Sequence, residues 1–420
     1  GLVFQGMAQT APYCINSRFA EQDYFADIAI DSAMNVVYGY NSNVSVAVDS
    51  LYADVYFPNP LIDILPKRPL IVWVHGGGFQ NGNRKEFTAY CRQLARRGYV
   101  AATISYRQGW NAGNYPCTGN AGQLRSAMYR AAQDVDAALR YLTAHASVYE
   151  IDTSRIFVCG QAEGAMSVLH AAFMDQSDAD FYFPGCSADM GDLHFGSNTL
   201  QTSYSIKGIF NWCGAVIDTA ILGMNHPIPV LSMHGLLDTV MPLYTGTYLN
   251  CTDTASHYPV VYGPKAIQQR LDHLGMCNET NFDASGSHCV FPSLEPALYL
   301  PSKFTCYFKN LLCGNCISGS HIGYNAPSCL DAAPTSVQER SQEALWSLIP
   351  KNNGHYQVLR NGIAEAGIEI RVFNILGESV PINKEYHISE FSMPGSCASG
   401  LYFLHCSVDN DQFRTTLLHH

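Results

Sequence analysis

The chain is poor in charged residues and lacks a long hydrophobic run. Asp, Glu, Lys and Arg make up 14% of it, against about 25% in typical domains. The net charge is −11 and the 24 Lys and Arg residues form no block, which argues against nucleic acid or an anionic membrane as the partner. No apolar run approaches the ~18 residues of a membrane-spanning helix. A G-x-G-x-x-G loop after the first strand is also missing, which argues against a dinucleotide-dependent oxidoreductase.

Length and composition predict two folded units. Single cores rarely grow beyond ~250–300 residues, whereas this chain has 420 residues, 47% of them hydrophobic. We expect a monomer with a catalytic domain over residues 8–340 and a smaller module over residues 345–418. Residues 1–7 resemble a protease-site remnant from an expression vector, and the terminal His419-His420 resembles a tag remnant. Both ends are left out of the fold prediction.

Short apolar runs alternate with helix-period segments, which predicts the α/β class with a mostly parallel sheet covered by helices. The runs predicted as buried strands are residues 70–74, 99–105, 155–159, 206–212 and 228–233. Residues 175–205, rich in Asp, Gly and Ser, are predicted as a long insertion that covers the site as a lid. Residues 306–329 are predicted as a cysteine-rich segment that closes the domain.

Cysteine is abundant, with 15 residues, which indicates an oxidising compartment and disulfides. Because the count is odd, at least one thiol is expected to be free or paired between molecules, and Cys159 and Cys213 are the candidates. Cys277 and Cys289 are predicted to form one disulfide. The pair Cys313–Cys316 has zinc-ligand spacing, but no second such pair accompanies it, so we predict no metal site.

A glycine-rich turn follows the first of the predicted strands. His75 precedes three glycines, of which Gly77 and Gly78 are the last two. Consecutive glycines expose backbone N–H groups, which is what stabilising a tetrahedral oxyanion requires. The motif resembles the HGGG oxyanion element of lipases and esterases. We therefore predict the amides of Gly77 and Gly78 as oxyanion donors, and a structural role for His75.

A second motif, Gly160-Gln161-Ala162-Glu163-Gly164, follows a predicted strand and opens an apolar helix. It resembles the G-x-S-x-G nucleophile elbow of α/β-hydrolases, whose glycines permit a strained strand-to-helix turn. Ala162 stands at the nucleophile position, and a methyl group cannot attack a carbonyl. Two explanations stay open: an engineered replacement of serine, or a natural pseudoenzyme.

An acid and a histidine follow the elbow along the chain. Asp238 comes shortly after the predicted strand 228–233 and is the predicted acid, with Asp218 as the alternative. His288 lies in a loop after a short extended stretch and is the predicted base, with His321 as the alternative. The order nucleophile, acid, histidine is that of α/β-hydrolases and differs from the orders in chymotrypsin and subtilisin.

Residues 50–315 resemble secreted carboxylesterases of the feruloyl and acetyl-xylan esterase groups, also in Tyr106-Arg107 and around Asp134. The resemblance implies an α/β-hydrolase fold and an acyl-enzyme mechanism without cofactor or metal, in which the backbone N–H of Glu163 completes the oxyanion hole. The chain is thus predicted to be an ester hydrolase disabled at position 162. The rival prediction is a non-catalytic binding or adhesion protein on the same scaffold.

Aromatic residues on loops and strand ends are predicted to converge over this site. They are Phe79, Tyr106, Trp110 and Trp212. An aromatic-lined pocket favours a neutral ester linked to a plant polymer, with a synthetic or natural polyester as the alternative.

From about residue 345 the pattern changes to short strands. Ile368, Ile370 and Val372 alternate with Glu369 and Arg371, which predicts a small all-β sandwich. Segments 370–378 and 400–404 resemble the C-terminal sorting domain of type IX secretion substrates. That resemblance implies a secreted or cell-surface protein with the secretion machinery as a partner. A generic carbohydrate-binding or stabilising module is the alternative.

Overall fold

The computed structural model divides the chain into two compact units, residues 1–333 and 334–420. It describes residues 12–14, 17–20, 22–63, 65–114, 117–251, 257–291, 296–329, 346–350, 355–360, 368–374, 379–385, 389–394, 396–398, 400–408 and 411–419. The predicted remnant at residues 1–7, the terminal His420 and the predicted domain boundary near residue 345 lie outside the described residues.

The first unit is built around one large sheet. Its strands are β1 (Ile30–Ser42), β2 (Val48–Pro58), β3 (Arg68–Val74), β4 (Val100–Ile104), β5 (Ile151–Gln161), β6 (Ile206–Trp212), β7 (Val230–Gly235), β8 (Thr245–Thr247), β9 (Val260–Tyr262), β10 (Asn278–Asp283) and β11 (Gly319–Ile322). The nine-stranded sheet has the order β1-β2-β4-β3-β5-β6-β7-β10-β11, and β8 pairs with β9 apart from it. From β4 to β11 along the sheet, all neighbouring strands are parallel. At the other edge, β2 pairs antiparallel with both β1 and β4.

Helices connect the parallel strands. They are α1 (Thr88–Arg96), α2 (Ala121–Ala144), α3 (Ala146–Tyr149), α4 (Glu163–Phe173), α5 (Gln176–Tyr182), α6 (Cys186–Met190), α7 (Pro264–His273) and α8 (Pro296–Leu312). This strand order and these connections are those of the α/β-hydrolase fold, so the predicted fold class is confirmed. The antiparallel pair β1–β2 was not predicted, because its strands mix buried and exposed residues without a regular period.

The sheet separates two hydrophobic cores, and β3 shows how. Leu70, Val72 and Val74 belong to one cluster, which also contains the apolar stripe of α2. Ile71 and Trp73 belong to the other, with residues of α1 and α8. Successive side chains of a strand point to opposite faces, so a strand buried on both faces favours a continuous apolar run, as residues 70–74 of β3 show.

The insertion over residues 175–205 packs along α2. Arg140 of that helix donates to backbone carbonyls of the insertion. The hydroxyl of Ser197 donates to Asp134, which forms a fully buried ion pair of 2.8 Å with Arg107. Within the described residues, no hydrogen bond of the insertion reaches the predicted catalytic residues. These contacts anchor the insertion on α2, and its role as a lid over the site stays a prediction.

Five disulfides join distant parts of the first unit. They are Cys14–Cys313, Cys117–Cys251, Cys213–Cys289, Cys277–Cys316 and Cys306–Cys329. Cys159 is free and buried, as predicted. The predictions of a free Cys213 and of a Cys277–Cys289 bond are wrong, because tertiary proximity and not sequence spacing selects the partners. Cys313 and Cys316 sit in two separate disulfides and so do not form a thiolate pair.

The second unit consists of antiparallel strands. They are β12 (Trp346–Pro350), β13 (His355–Arg360), β14 (Glu369–Phe373), β15 (Ser379–Val380), β16 (Asn383–Glu385), β17 (Glu390–Ser392), β18 (Gly400–Val408) and β19 (Asp411–His419). They form two four-stranded sheets, β12-β13-β17-β16 and β15-β14-β18-β19. Val358 and Phe391 of the first sheet share a core with Ile370 and Val372 of the second. The predicted β-sandwich is confirmed.

Within the described part of the chain, no helix combines the length and the apolar composition that crossing a bilayer demands.

Candidate active site

The turn between β5 and α4 carries Ala162 in a conformation that alanine rarely adopts. Its φ is +50° and its ψ is −118°, outside the regions favoured by L-residues. Two glycines make this turn possible. A Cβ at Gly160 would clash with the backbone of Ala165, and one at Gly164 with the carbonyl of Val74. The elbow geometry is therefore present at position 162, although the side chain there has no hydroxyl.

Asp238 and His288 form a close pair at the carboxyl ends of the neighbouring strands. Nδ1 of His288 lies 2.8 Å from Oδ2 of Asp238. The other carboxylate oxygen accepts the backbone N–H groups of Val240 and Met241 at 2.7 and 2.9 Å. Burial of Asp238 opposes its ionisation, yet the hydrogen bond and attraction of His288 hold its pKa below the ordinary value. The pair is thus set to orient an imidazole and to stabilise its charged form.

A chain of contacts joins this pair to the elbow. The amide of Ala162 donates to the carbonyl of Trp212 at 2.8 Å. Cys213, the next residue, is disulfide-bonded to Cys289, whose sulfur lies 3.7 Å from Nε2 of His288. Position 162, the imidazole and the carboxylate therefore share one region. Because the two sulfurs near His288 are bonded to each other, they are not thiolate ligands for a metal.

The alternative acid and base lie elsewhere. Asp218 caps a short 3₁₀ helix and accepts the amide of Ala220 at 2.8 Å. His321 lies in the edge strand β11, with Nε2 3.8 Å from Glu279. Neither residue has a recorded contact with the Asp238–His288 pair within the described residues.

The glycine-rich turn differs from its prediction. The amides of Gly77 and Gly78 donate to Oε2 of Glu163 at 3.2 and 2.8 Å. The carboxylate of Glu163 thus occupies both amides in this structure, which the prediction did not include, and their role as oxyanion donors stays a prediction. The cause is the side chain of Glu163, which reaches back from the first turn of α4. The sequence prediction considered only its backbone N–H.

The four predicted substrate-binding aromatics are buried. Phe79 is 0% exposed and Tyr106 4%, while Trp110 and Trp212 are each 7% exposed. Tyr106 stacks on His75 and donates to the carbonyl of Gly76, and Trp110 donates to the carbonyl of Gly78. Tyr106 and Trp110 therefore hold the glycine-rich turn, whereas Trp212 packs against Trp73 and Phe291. The substrate-binding role of the four rings stays a prediction, and their burial leaves them little surface for it.

Other exposed apolar residues lie close to Asp238 or His288 in the sequence, and sequence reasoning missed them. Leu237, Tyr244 and Val290 are 61%, 50% and 53% exposed. Leu237 directly precedes Asp238, and Val290 follows His288 by two positions. That closeness in sequence to the predicted acid and base was the signal that could have identified two of them.

A second imidazole lies beside the carboxylate. His234, at the end of β7, is fully buried, and its Nε2 lies 3.6 Å from Oδ2 of Asp238. Burial lowers the pKa of His234 to about 4, so it is neutral at pH 7. His288, whose side chain is 24% exposed, is the member of the two that solvent and substrate can reach.

The chain has the α/β-hydrolase fold, with Asp238 and His288 in contact at the carboxyl ends of neighbouring strands and Ala162 in the strand-to-helix turn. The BD-FAE family model matches residues 53–227. That segment contains the glycine-rich turn and the elbow but ends before Asp238 and His288.

Similarity to individual proteins is distant. The chain is 24% identical over 216 residues to pyrethroid hydrolase Ces2e of Rattus norvegicus, covering 50% of this chain and 36% of the relative. It is 32% identical over 124 residues to neuroligin-like protein glit-1 of Caenorhabditis elegans, covering 29% and 15%. The chain thus spans about a third or less of these relatives' length. A truncated carbohydrate esterase from gut microbiota superposes with a TM-score of 0.45 at 18% identity, covering 69% of this chain and 99% of that one.

Proposed function

We propose that this chain is a carboxylic ester hydrolase of the serine type, held inactive by alanine at position 162. The observation that carries the proposal is the 2.8 Å contact of His288 with Asp238, joined by the Cys213–Cys289 disulfide to the strand that binds Ala162. A carboxylate–imidazole pair beside a strained strand-to-helix turn is the arrangement that activates a hydroxyl nucleophile.

With serine at position 162, His288 accepts the hydroxyl proton while the serine oxygen bonds to the acyl carbon. The imidazolium then gives that proton to the departing alkoxide, and the C–O bond of the ester breaks. Water repeats both steps and releases the acid. The backbone N–H of Glu163 is the proposed oxyanion donor, because the first amides of a helix have no acceptor within it.

The test is the substitution Ala162→Ser. We expect it to raise hydrolysis of a p-nitrophenyl acyl ester by on the order of 10⁴-fold over the chain with alanine. Ala162→Gly is the matched control, because it changes the turn without supplying an oxygen. A correctly folded serine variant with no gain in hydrolysis would overturn the proposal.

The proposed substrate is a neutral ester with an apolar or aromatic acyl group, part of a larger polymer. The exposed apolar side chains of Leu237 and Val290 support this proposal, since they adjoin Asp238 and nearly adjoin His288 in the sequence. A plant-polymer ester is our first choice and a polyester the second.

The proposed location is outside the cytosol. Five disulfides support it, since such bonds persist in oxidising compartments. The second unit is the proposed sorting module.

A second candidate is a non-catalytic binding protein, and alanine at position 162 is the observation that favours it. The coding sequence of the parent gene at this position discriminates the two. A serine codon supports the enzyme, whereas an alanine codon supports the binding protein.

A further inference from the structure

A buried carboxylate lies next to the elbow, and the proposed chemistry does not use it. Glu163 is 2% exposed. Its two oxygens accept three hydrogen bonds, from the amides of Gly77 and Gly78 and from the hydroxyl of Tyr248 at 2.8 Å. Within the described residues, no Lys or Arg forms an ion pair with it. Neutral donors alone therefore balance this buried acid, an arrangement that is costly unless every donor is well placed.

These donors belong to the turn beside position 162. The φ angles of Gly77 and Gly78 are +107° and +69°, and the turn follows the end of β3, outside the sheet. Tyr106 and Trp110 bind its carbonyls at Gly76 and Gly78. Glu163 binds its amides from the other side. The turn is thus held on both its carbonyl and its amide sides.

The same carboxylate connects two parts of the site. Tyr248 lies ten residues beyond Asp238, and the amide of the next residue, Leu249, donates to the carbonyl of Val240, two positions after Asp238. Glu163 therefore links the glycine-rich turn to the segment that carries the acid.

We propose that Glu163 is a positioning residue, which fixes the turn of residues 76–79 against position 162 and ties it to the loop after Asp238. The inference rests on the proposed function and deepens it. A Cβ built on Gly76 would come within 3.1 Å of the Cβ of Ala162, so a small shift of this turn changes the space in which an acyl group reacts. Glu163 itself is not the nucleophile, because it is buried and both its oxygens are occupied.

The first test uses the chain with alanine at position 162 and measures amide hydrogen exchange of a peptide covering residues 75–82. Glu163→Ala removes the acceptor, and we expect this peptide to lose protection. Glu163→Gln keeps an acceptor oxygen and is expected to preserve most of it. Gln161→Ala, on the other side of the elbow, is the matched control. Unchanged protection in Glu163→Ala would overturn the proposal.

The second test uses the Ala162→Ser background. We expect Glu163→Ala to lower kcat on the order of 10- to 100-fold with KM changed less than about threefold, since small misplacements have effects of this size. Glu163→Gln is expected to restore most of the loss, and Tyr248→Phe to show a smaller one. If Glu163 were only structural, its substitution would lower stability without lowering kcat more than it changes KM.

The outcomes separate the two proposals. A rise of kcat in Glu163→Ala would show that the carboxylate blocks the amides instead of positioning them, and would overturn this inference. If the serine variant is inactive, the proposed function fails, while hydrogen exchange still decides whether Glu163 holds the turn. If Glu163→Ala does not fold, Glu163→Gln and Tyr248→Phe are compared in both measurements.

Discussion

The two halves of the candidate site differ in completeness. The acid–histidine half has both of its side chains, a 2.8 Å contact between them and a partly exposed imidazole. The other half has the backbone geometry of an elbow at Ala162 but no hydroxyl, and the two amides predicted as oxyanion donors bind Glu163. The first half brings a carboxylate and an imidazole into contact, whereas the second has the turn but no hydroxyl.

The difference shows that elbow geometry does not depend on the nucleophile. A non-glycine residue at positive φ costs on the order of 1–3 kcal/mol, and a methyl group gives nothing in return. The turn persists because the surroundings impose it: Gly160 and Gly164 permit close packing, and Trp212 binds the amide of Ala162. Packing therefore builds the turn, and under the proposed function a single oxygen atom decides whether the site is catalytic.

The largest expected effect concerns the Asp238–His288 pair. In the Ala162→Ser background, Asp238→Asn removes the charge that holds the imidazole in one tautomer, and we expect kcat to fall on the order of 10⁴-fold. The measurement is steady-state hydrolysis of a p-nitrophenyl ester. Asp218→Asn is the control, with activity expected within about twofold. A comparable loss in both variants would contradict the assignment of Asp238.

The next effect concerns stability near the elbow. His170 of α4 is buried, accepts the amide of Ile217 and has its pKa lowered by burial to about 3. The ordinary pKa of histidine is 6.5. Below this pH, His170 binds a proton in the unfolded chain but stays neutral in the folded chain until the pH approaches 3. Stability is therefore complete above pH 6.5 and falls as the pH drops towards 3. His170→Gln keeps an acceptor but does not titrate. Between pH 6.5 and 4.5, its free energy of unfolding should therefore fall by about 2–3 kcal/mol less than that of the parent chain.

Urea unfolding at the two pH values measures this difference. His273→Gln changes an exposed imidazole at the end of α7 and is the control. Equal pH dependence of His170→Gln and the parent chain would show that His170 is protonated in the folded state, contrary to its burial.

The smallest expected effect concerns the Cys213–Cys289 disulfide, which joins the loop of His288 to the strand that binds Ala162. Removing Cys213–Cys289 with a double alanine substitution frees the loop of His288, and we expect kcat of the serine variant to fall about tenfold. Removing Cys277–Cys316, a bond remote from the imidazole, is the control. Both changes should lower the melting temperature, since each closes a long loop, but only the first should lower kcat. Equal effects on kcat would mean that the Cys213–Cys289 disulfide stabilises the fold without positioning His288.

Predictions from the sequence succeeded where neighbouring residues carry the information. The continuous apolar run of residues 70–74 identified β3, because a strand buried on both faces has no polar side to display. The alternation of Ile370 and Val372 with polar residues identified the sandwich, because each of these strands buries only one face. They failed where a side chain had to be placed, as with Phe79, which loop position suggested was exposed and which is buried.

By itself the sequence determined the α/β fold, the elbow at residues 160–164 and the absence of an oxygen at position 162, because each is written in adjacent residues. Only the tertiary structure decided that Asp238, and not Asp218, meets His288, that Cys213 pairs with Cys289, and that Glu163 takes the amides of the turn. These contacts join residues 50, 76 and 85 positions apart. Spacing along a chain does not encode such distances, since they depend on how the sheet brings its loops together.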